Sequence, residues 1–245
     1  MCVELPALDY SRVLSLQHNL VTAKREKLIG ADVILLLEHP PVFTMGHRGG
    51  RENLMVSATL LKKSGIPLIR VERGGNITFH GPGQLVVYPV IDLRKVRVSV
   101  VDYVDGLEEV MIRAAADLGI MAERSPVNKG VWVGTKKLGS IGIALRHGIC
   151  YHGFAFNVNL SLKPFGWIQP CGLPDIEMTS IERELSRKVS MTDVREAVKC
   201  HIEAVFGIDL EAGDFSELQH LLKRGCDGSA SETESGGLET PLAQA

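Results

Sequence analysis

GVWVGTKKLGSIGIALRHGICYHGFAFNVNL, Gly130 to Leu160, carries three runs that read as strands: Val131 to Val133, Lys137 to Ile143 and Tyr151 to Leu160. The connections between them are short, whereas parallel neighbours need a crossover of about a dozen residues or more. A purely parallel sheet is therefore disfavoured, and a mixed or mostly antiparallel one expected. In the last run Phe154, Phe156 and Val158 alternate with Ala155, Asn157 and Asn159, as a strand with one apolar face does.

Working outward, helices and strands alternate from the start. Asp9 can cap a helix to about Leu28, with Val13, Leu16, Leu20 and Leu28 at roughly helical spacing and Gly30 as a stop. Val33 to Leu37 reads as a buried strand ended by His39-Pro40-Pro41. Ser57 opens a short helix, Ala58 to Lys63, and strands follow at Leu68 to Val71 and Leu85 to Ile91. Ser99 caps an amphipathic helix (Val104, Leu107, Val110, Met111, Ala114, Leu118) closed by Gly119, and Thr192 begins a last helix through Val198 and Ile202 to Phe206. The expected fold is α/β or α+β, with one catalytic-size domain over residues 1–222. Residues 223–245, rich in Gly, Ser, Thr, Glu and Ala, read as a disordered tail.

A chain of 245 residues with 45% hydrophobic and 23% charged side chains can bury a real core. A net charge of −2 argues against nucleic-acid binding over the whole surface. Met1 to Tyr10 show no basic and apolar leader pattern, and the longest apolar run, Val33 to Leu37, is too short to cross a bilayer. Five widely spaced cysteines make no disulfide framework, so a reducing cytoplasm is expected and no membrane association.

Chemistry-bearing residues gather in four segments. RGGNITFHGPGQ, Arg73 to Gln84, has glycines that let the backbone approach a ligand and offer its N–H groups, though the same composition suits an elaborate turn. It lacks the Gly-Lys-Ser/Thr ending of a phosphate loop. In KKLGSIG, Lys136 to Gly142, a lysine enters a strand of small and apolar residues, where desolvation would suit it to proton transfer; an exposed hairpin lysine is the alternative. In HGFAFNVNL, Gly153 and Ala155 are small enough to border a narrow tunnel. In IQPCG, Ile168 to Gly172, a cysteine between proline and glycine sits in a turn that can present its sulfur as a thiolate nucleophile; an inert, buried cysteine is the alternative. His147, Cys150 and His152, with Cys171, fit no usual zinc spacing, so no metal is expected. Cys200 sits on a helix and is expected to pack.

Together these segments resemble the lipoyl(octanoyl) transferase family, whose pattern R-G-G-x-x-T-[FY]-H-G-P-G-Q, K-x-x-S-[IL]-G, H-G-x-A-x-N-V and P-C-G appears here in order, within a likeness running from about Leu5 to Phe206. The resemblance implies a fold like that of biotin and lipoate protein ligases, a mixed, largely antiparallel sheet flanked by helices. It implies Cys171 as nucleophile and Lys137, selected over Lys136 by counting back from Ser140-Ile141-Gly142, as its partner. It further implies an acyl site lined by Arg73, Gly74, Gly75, Asn76, Ile77, Thr78, Phe79 and His80, by Ser140, Ile141 and Gly142, and by Gly153, Phe154 and Ala155. The implied reaction moves octanoyl from an octanoyl-acyl-carrier protein to a lysine of lipoyl domains of oxo-acid dehydrogenases or of the glycine-cleavage H protein, without ATP or another cofactor. Arg94, Lys95 and Arg97 form a basic cluster able to meet an acidic carrier, or simply a solvated surface. An ATP-dependent lipoate or biotin ligase and a non-catalytic acyl-binding protein are the alternatives.

Overall fold

A computed structural model describes residues 1–126, 128–169 and 176–228, with side chains through residue 223. Strand β1 (Cys2–Glu4) leads into helix α1 (Tyr10–Arg25), then β2 (Val33–Leu37) and β3 (Val42–Met45). Helix α2 (Ala58–Ser64) precedes β4 (Leu68–Arg70), β5 (Ile77–His80) and β6 (Gln84–Asp92). Helices α3 (Leu93–Val96) and α4 (Val100–Asp117) lead to β7 (Glu123–Arg124), β8 (Gly130–Val133), β9 (Lys136–Arg146) and β10 (Ile149–Asn157). The chain continues through β11 (Glu177–Met178), α5 (Ile181–Leu185), α6 (Met191–Phe206), β12 (Ala212–Gly213) and α7 (Phe215–Gly228).

Among the described residues the main sheet runs β12-β1-β2-β6-β10-β9-β8-β7, with β11 also paired to β9. Its centre, from β2 through β6, β10 and β9 to β8, is antiparallel, while β1 pairs in parallel with β2 and β12. The mixed, largely antiparallel sheet expected from the short connections is therefore present. A second sheet, β4-β3-β5, was not foreseen. Two of its strands hide in segments that read as breakers: β3 follows Pro40-Pro41, and β5 lies inside the glycine-rich stretch. Each has only four residues and draws its pairing from the other, Val42 opposite His80 and Met45 opposite Ile77.

Helices cover both faces of the main sheet. On one face Leu107, Val110, Met111 and Ala114 of α4 and Val194, Val198 and Ile202 of α6 pack over Leu85, Val87, Phe154 and Phe156. On the other, Val13, Leu20 and Val21 of α1 and Leu218 of α7 pack over Leu35, Leu37, Val86 and Val90. Strands buried on both sides account for the unbroken apolar runs in β2 and β6. Two helix ends differ from expectation. Helix α1 stops at Arg25, short of Leu28, with Lys27 rather than Gly30 taking the positive φ of 61°. Helix α7 follows the helix expected to be the last and runs past the boundary expected at residue 222; residues 229–245 lie outside the described ones.

One irregularity in the centre of the sheet shapes the site. Pro89, in β6, has no N–H to give β10. The pairs Cys150–Ile91 and Phe154–Val87 flank this point, and between them His152 adopts a φ of 57°. Gly153 follows because no side chain fits there: a Cβ would stand 2.2 Å from the Val87 carbonyl oxygen.

The apolar stripe on α4 is what joins this helix to the sheet, and Leu107 is fully buried within it. Leu107→Ala should lower the free energy of unfolding by about 2–5 kcal/mol. Urea denaturation monitored by circular dichroism checks this; an unchanged midpoint would contradict the packing described.

Candidate active site

β9 and β10 carry small residues at facing positions, Ser140 opposite Ala155 and Gly142 opposite Gly153. Over this strip lies the segment after β4. Its Gly74 N–H donates to the Ile143 carbonyl at 2.8 Å. The approach is close enough that a Cβ on Gly142 would meet the Gly74 oxygen at 3.0 Å. Between the strip and the segment is a cavity of about 630 Å³. Of the residues expected there, Arg73 through Thr78, His80, Lys137, Ser140 through Gly142 and Gly153 through Ala155 all line it. Phe79 does not. Its ring turns into the cluster of Phe43 and Phe165, packing 5.2 Å from the first and 5.8 Å from the second. The second expected catalytic residue, Cys171, lies outside the described residues. Downstream of it, Met178 pairs with Lys137 in the β11–β9 ladder and also lines the cavity.

Lys137 is not an exposed hairpin lysine; only 2% of it is accessible. Its Nζ donates to the Asn128 side-chain oxygen and, at 2.9 Å, to the Lys129 carbonyl, and it lies 5.2 Å from the centre of the Trp132 ring. Burying a lysine head is costly unless acceptors receive it, and a turn of irregular backbone supplies them. Gly130 has φ 126°, and a side chain there would collide with the Gly139 oxygen at 2.3 Å and Lys137 Cε at 2.8 Å. Glycine is thus required at this position for the lysine to be seated.

A directed chain of hydrogen bonds explains the polar residues of the motifs. Arg73 Nη2 donates to Thr44 Oγ1 at 2.7 Å and to the Thr44 carbonyl at 2.8 Å. The Thr44 hydroxyl lies 3.3 Å from His80 Nε2, and His80 Nδ1 lies 2.8 Å from Gln84 Oε1. Because Gln84 Oε1 only accepts, His80 carries its proton on Nδ1, and Nε2 accepts from Thr44. Gln84 Nε2 then donates to Asn157 Oδ1 at 2.9 Å, and Asn157 Nδ2 to the Thr179 carbonyl at 2.9 Å. The Thr179 N–H closes on the Lys137 carbonyl at 2.9 Å. Arginine, histidine and glutamine of one motif and asparagine of another thus form one structure that ends at the backbone of the buried lysine of a third.

The far end of the cavity holds residues the sequence did not single out as a site: Tyr10, Tyr88 and His152, with His39 behind them. His39 Nδ1 donates to the Leu8 carbonyl at 2.7 Å, and Nε2 accepts from the Tyr88 hydroxyl at 3.0 Å. Tyr10 Oη lies 3.4 Å from His152 Nδ1. Burial pushes the His39 pKa down to about 4 and that of His152, with the Arg73 charge also opposing protonation, to about 3. Burial likewise holds His80 well below the usual imidazole range and raises Tyr10 to about 12. These rings are therefore uncharged at neutral pH. The signals in the sequence are His152, which opens the H-G-x-A-x-N-V motif, His39 at a strand end, and Tyr88, one polar-tipped residue in an apolar strand.

Other expectations resolve simply. His147 is exposed and Cys150 is buried in the core under α4; among the described residues no group of three or more His, Cys, Asp or Glu is arranged to hold a metal ion. Cys200 is exposed rather than packed, since the buried face of α6 is formed by Val194, Val198 and Ile202. In the basic cluster, Arg94 is engaged by Asp92 through contacts of 2.9 and 2.8 Å. Among the described residues no helix is long and apolar enough to cross a membrane.

Comparison with known proteins places this geometry. Residues 9–203 match the family model of the lipoyl protein ligase A/B catalytic domain. An octanoyltransferase of Desulfotalea psychrophila is 45% identical over 207 residues, 84% of this chain and 93% of that protein. One of Caldicellulosiruptor bescii is 44% identical over 229 residues, covering 91% of this chain and 100% of that protein. Among solved structures, a lipoate-protein ligase A bound with ATP has a TM-score of 0.71 at 18% identity, covering 93% of each chain. The bi-partite lipoate protein ligase of Thermoplasma acidophilum has a TM-score of 0.69 at 20% identity, covering 99% of this chain and 98% of its own. At such identities the structures establish a shared fold alone. The family model and the sequence relatives establish more: this chain belongs to the lipoyl protein ligase A/B catalytic-domain family, in its octanoyltransferase branch.

Proposed function

We propose that this protein transfers an octanoyl group from the thioester of an acyl-carrier protein to the ε-amine of a lysine on a lipoyl domain, with Cys171 as nucleophile and Lys137 as its partner. The observation that carries the reading is a buried lysine at one end of a cavity walled by glycine, alanine and serine. From Lys137 to Ile143 the β9 wall extends about 20 Å at 3.3 Å per residue, long enough to hold a medium acyl chain. The walls suit such a chain electrically as well. The Arg73 guanidinium is occupied by Thr44, Gly74 and Asn76, and the imidazoles near the far end are neutral.

The chemistry then proceeds in two exchanges. The Cys171 thiolate attacks the carrier thioester, the carbon–sulfur bond to the carrier breaks, and the carrier thiolate leaves with a proton from Lys137. The acceptor amine attacks the resulting acyl-enzyme, loses a proton to Lys137, and expels the Cys171 thiolate. One thioester replaces another before an amide forms, so no ATP enters. Acceptors would be lipoyl domains of oxo-acid dehydrogenases and the glycine-cleavage H protein, in a reducing cytoplasm that keeps the thiol free. An ATP-dependent ligase on the same fold is the second reading, favoured only by the likeness of fold to ligases.

Intact-protein mass spectrometry after mixing with octanoyl-carrier protein, without ATP, tests the proposal. The protein should gain one octanoyl group, discharged by added lipoyl domain and absent in Cys171→Ala, and Lys137→Ala should slow acylation by at least about a hundredfold. Acceptor modified only when ATP and free acid are supplied would establish the ligase instead.

The neutral histidines also set a pH dependence of folding. The unfolded chain protonates them near 6.5, the folded one only near 4 for His39 and 3 for His152. Their depressed values mean the contribution is complete above pH 6.5 and lost as pH falls toward those values, by up to about 1.4 kcal/mol per pH unit for each residue. Urea midpoints at pH 7.5 and 5 should therefore differ, and His39→Gln should narrow the gap. An equal gap in the variant would refute this assignment.

A further inference from the structure

Helix α4 turns a carboxylate into the core. Glu108 is 0% exposed, next in the chain to Leu107, which packs under the sheet. A buried carboxylate is expensive unless it is paired and hydrogen-bonded. This one is met by Arg124 Nε and Lys129 Nζ at 3.4 Å each, and by the backbone N–H of Gly130, which donates to Oε1 at 2.7 Å. All three partners come from the stretch running from the end of β7 to the start of β8. The lysine and arginine are themselves shared with surface carboxylates, Lys129 with Asp105 and Arg124 with Glu109.

The Gly130 contact has a particular geometry. The peptide unit joining Lys129 to Gly130 gives its N–H to Glu108, and its carbonyl accepts from Lys137 Nζ at 2.9 Å. A planar peptide therefore stands between a carboxylate and the lysine head, with its dipole aligned to both. Hydrogen bonds in such a series polarise one another, most strongly where water is excluded. The negative charge on Glu108 then strengthens the carbonyl that receives Lys137. The described groups facing Lys137 Nζ are this carbonyl, the Asn128 side chain and the Trp132 ring. Those facing Glu108 are Arg124, Lys129 and the Gly130 N–H.

We infer that Glu108 is a positioning residue for the reaction: through the Lys129–Gly130 peptide its carboxylate holds the Lys137 ammonium in the place that acyl transfer requires. The inference rests on the Cys171–Lys137 reading proposed above. Glu108 does not line the cavity and acts only through another residue.

The test compares the full-length protein with Glu108→Gln, Glu108→Ala and Lys137→Ala. Two quantities are read: the rate of acyl-enzyme formation, and the pH profile of iodoacetamide alkylation at Cys171, which follows the thiolate. Because Cys200 is exposed, alkylation is read on the Cys171 peptide by mass spectrometry. Glu108→Ala should slow acylation by about tenfold or more and move the alkylation profile to higher pH, toward that of Lys137→Ala, by about one unit. Glu108→Gln keeps an acceptor for the Gly130 N–H and loses the charge, so it should recover part of the rate and show a smaller shift in the same direction. If Glu108→Ala does not fold, the Gln variant decides alone, and a profile superimposable on the parent's overturns the inference. A slower rate with an unmoved profile in both variants overturns it too, leaving Glu108 a purely structural residue. If Lys137→Ala itself leaves the profile unmoved, the dyad reading has failed; if it moves the profile and neither Glu108 variant does, only the role of Glu108 has.

Discussion

The hydrogen-bond chain from Arg73 through Thr44, His80, Gln84 and Asn157 to Thr179 is the constraint on which the rest of the site depends. It begins in the segment between β4 and β5, passes through Thr44 and His80 of the small sheet to the centre of the main one, and ends one bond from the Lys137 carbonyl. Each link contributes only about 0.5–1.5 kcal/mol net, but a partner left buried and unpaired costs about 1–3 kcal/mol. The chain is therefore close to all-or-none. It fixes the small sheet against the large one, and the cavity is the space left between them.

A second constraint acts across the sheet. Pro89 interrupts the central ladder, His152 takes a left-handed conformation opposite it, and Gly153 lets the strands close again. The His152 ring then stacks on Tyr151 at 4.9 Å and approaches Tyr10 and Tyr88. A regular strand would not direct residue 152 in this way. Polar but uncharged groups thus stand at one end of the cavity and the lysine at the other, which gives an elongated ligand a direction.

Much of this was legible along the chain because it is local. The buried strand Val33–Leu37 was read with its observed limits, and Ser57 and Ser99 cap the helices they were expected to cap, their hydroxyls accepting from Leu60 and Asp102. The glycine-rich, lysine and His-Gly-Phe-Ala segments were identified as lining residues, Phe79 excepted. That exception has a local cause that composition hid: Ile77 to His80 form a strand, and Phe79 turns its ring, on the same face as Ile77, into the cluster of Phe43 and Phe165.

What the sequence determined by itself was the set of elements and the chemical inventory, because helix caps, apolar periodicity and motif spacing act within a few residues. Only the tertiary structure decided the surroundings of each group. Lys137 is buried because a distant turn at Asn128 to Gly130 offers it acceptors, and that turn is tied down by Glu108 from another helix. His39, Tyr10, Tyr88 and His152 are uncharged because elements far apart in the chain exclude water from them together. Desolvation and hydrogen-bond satisfaction belong to neighbours in space, and no spacing along a chain states who those neighbours are.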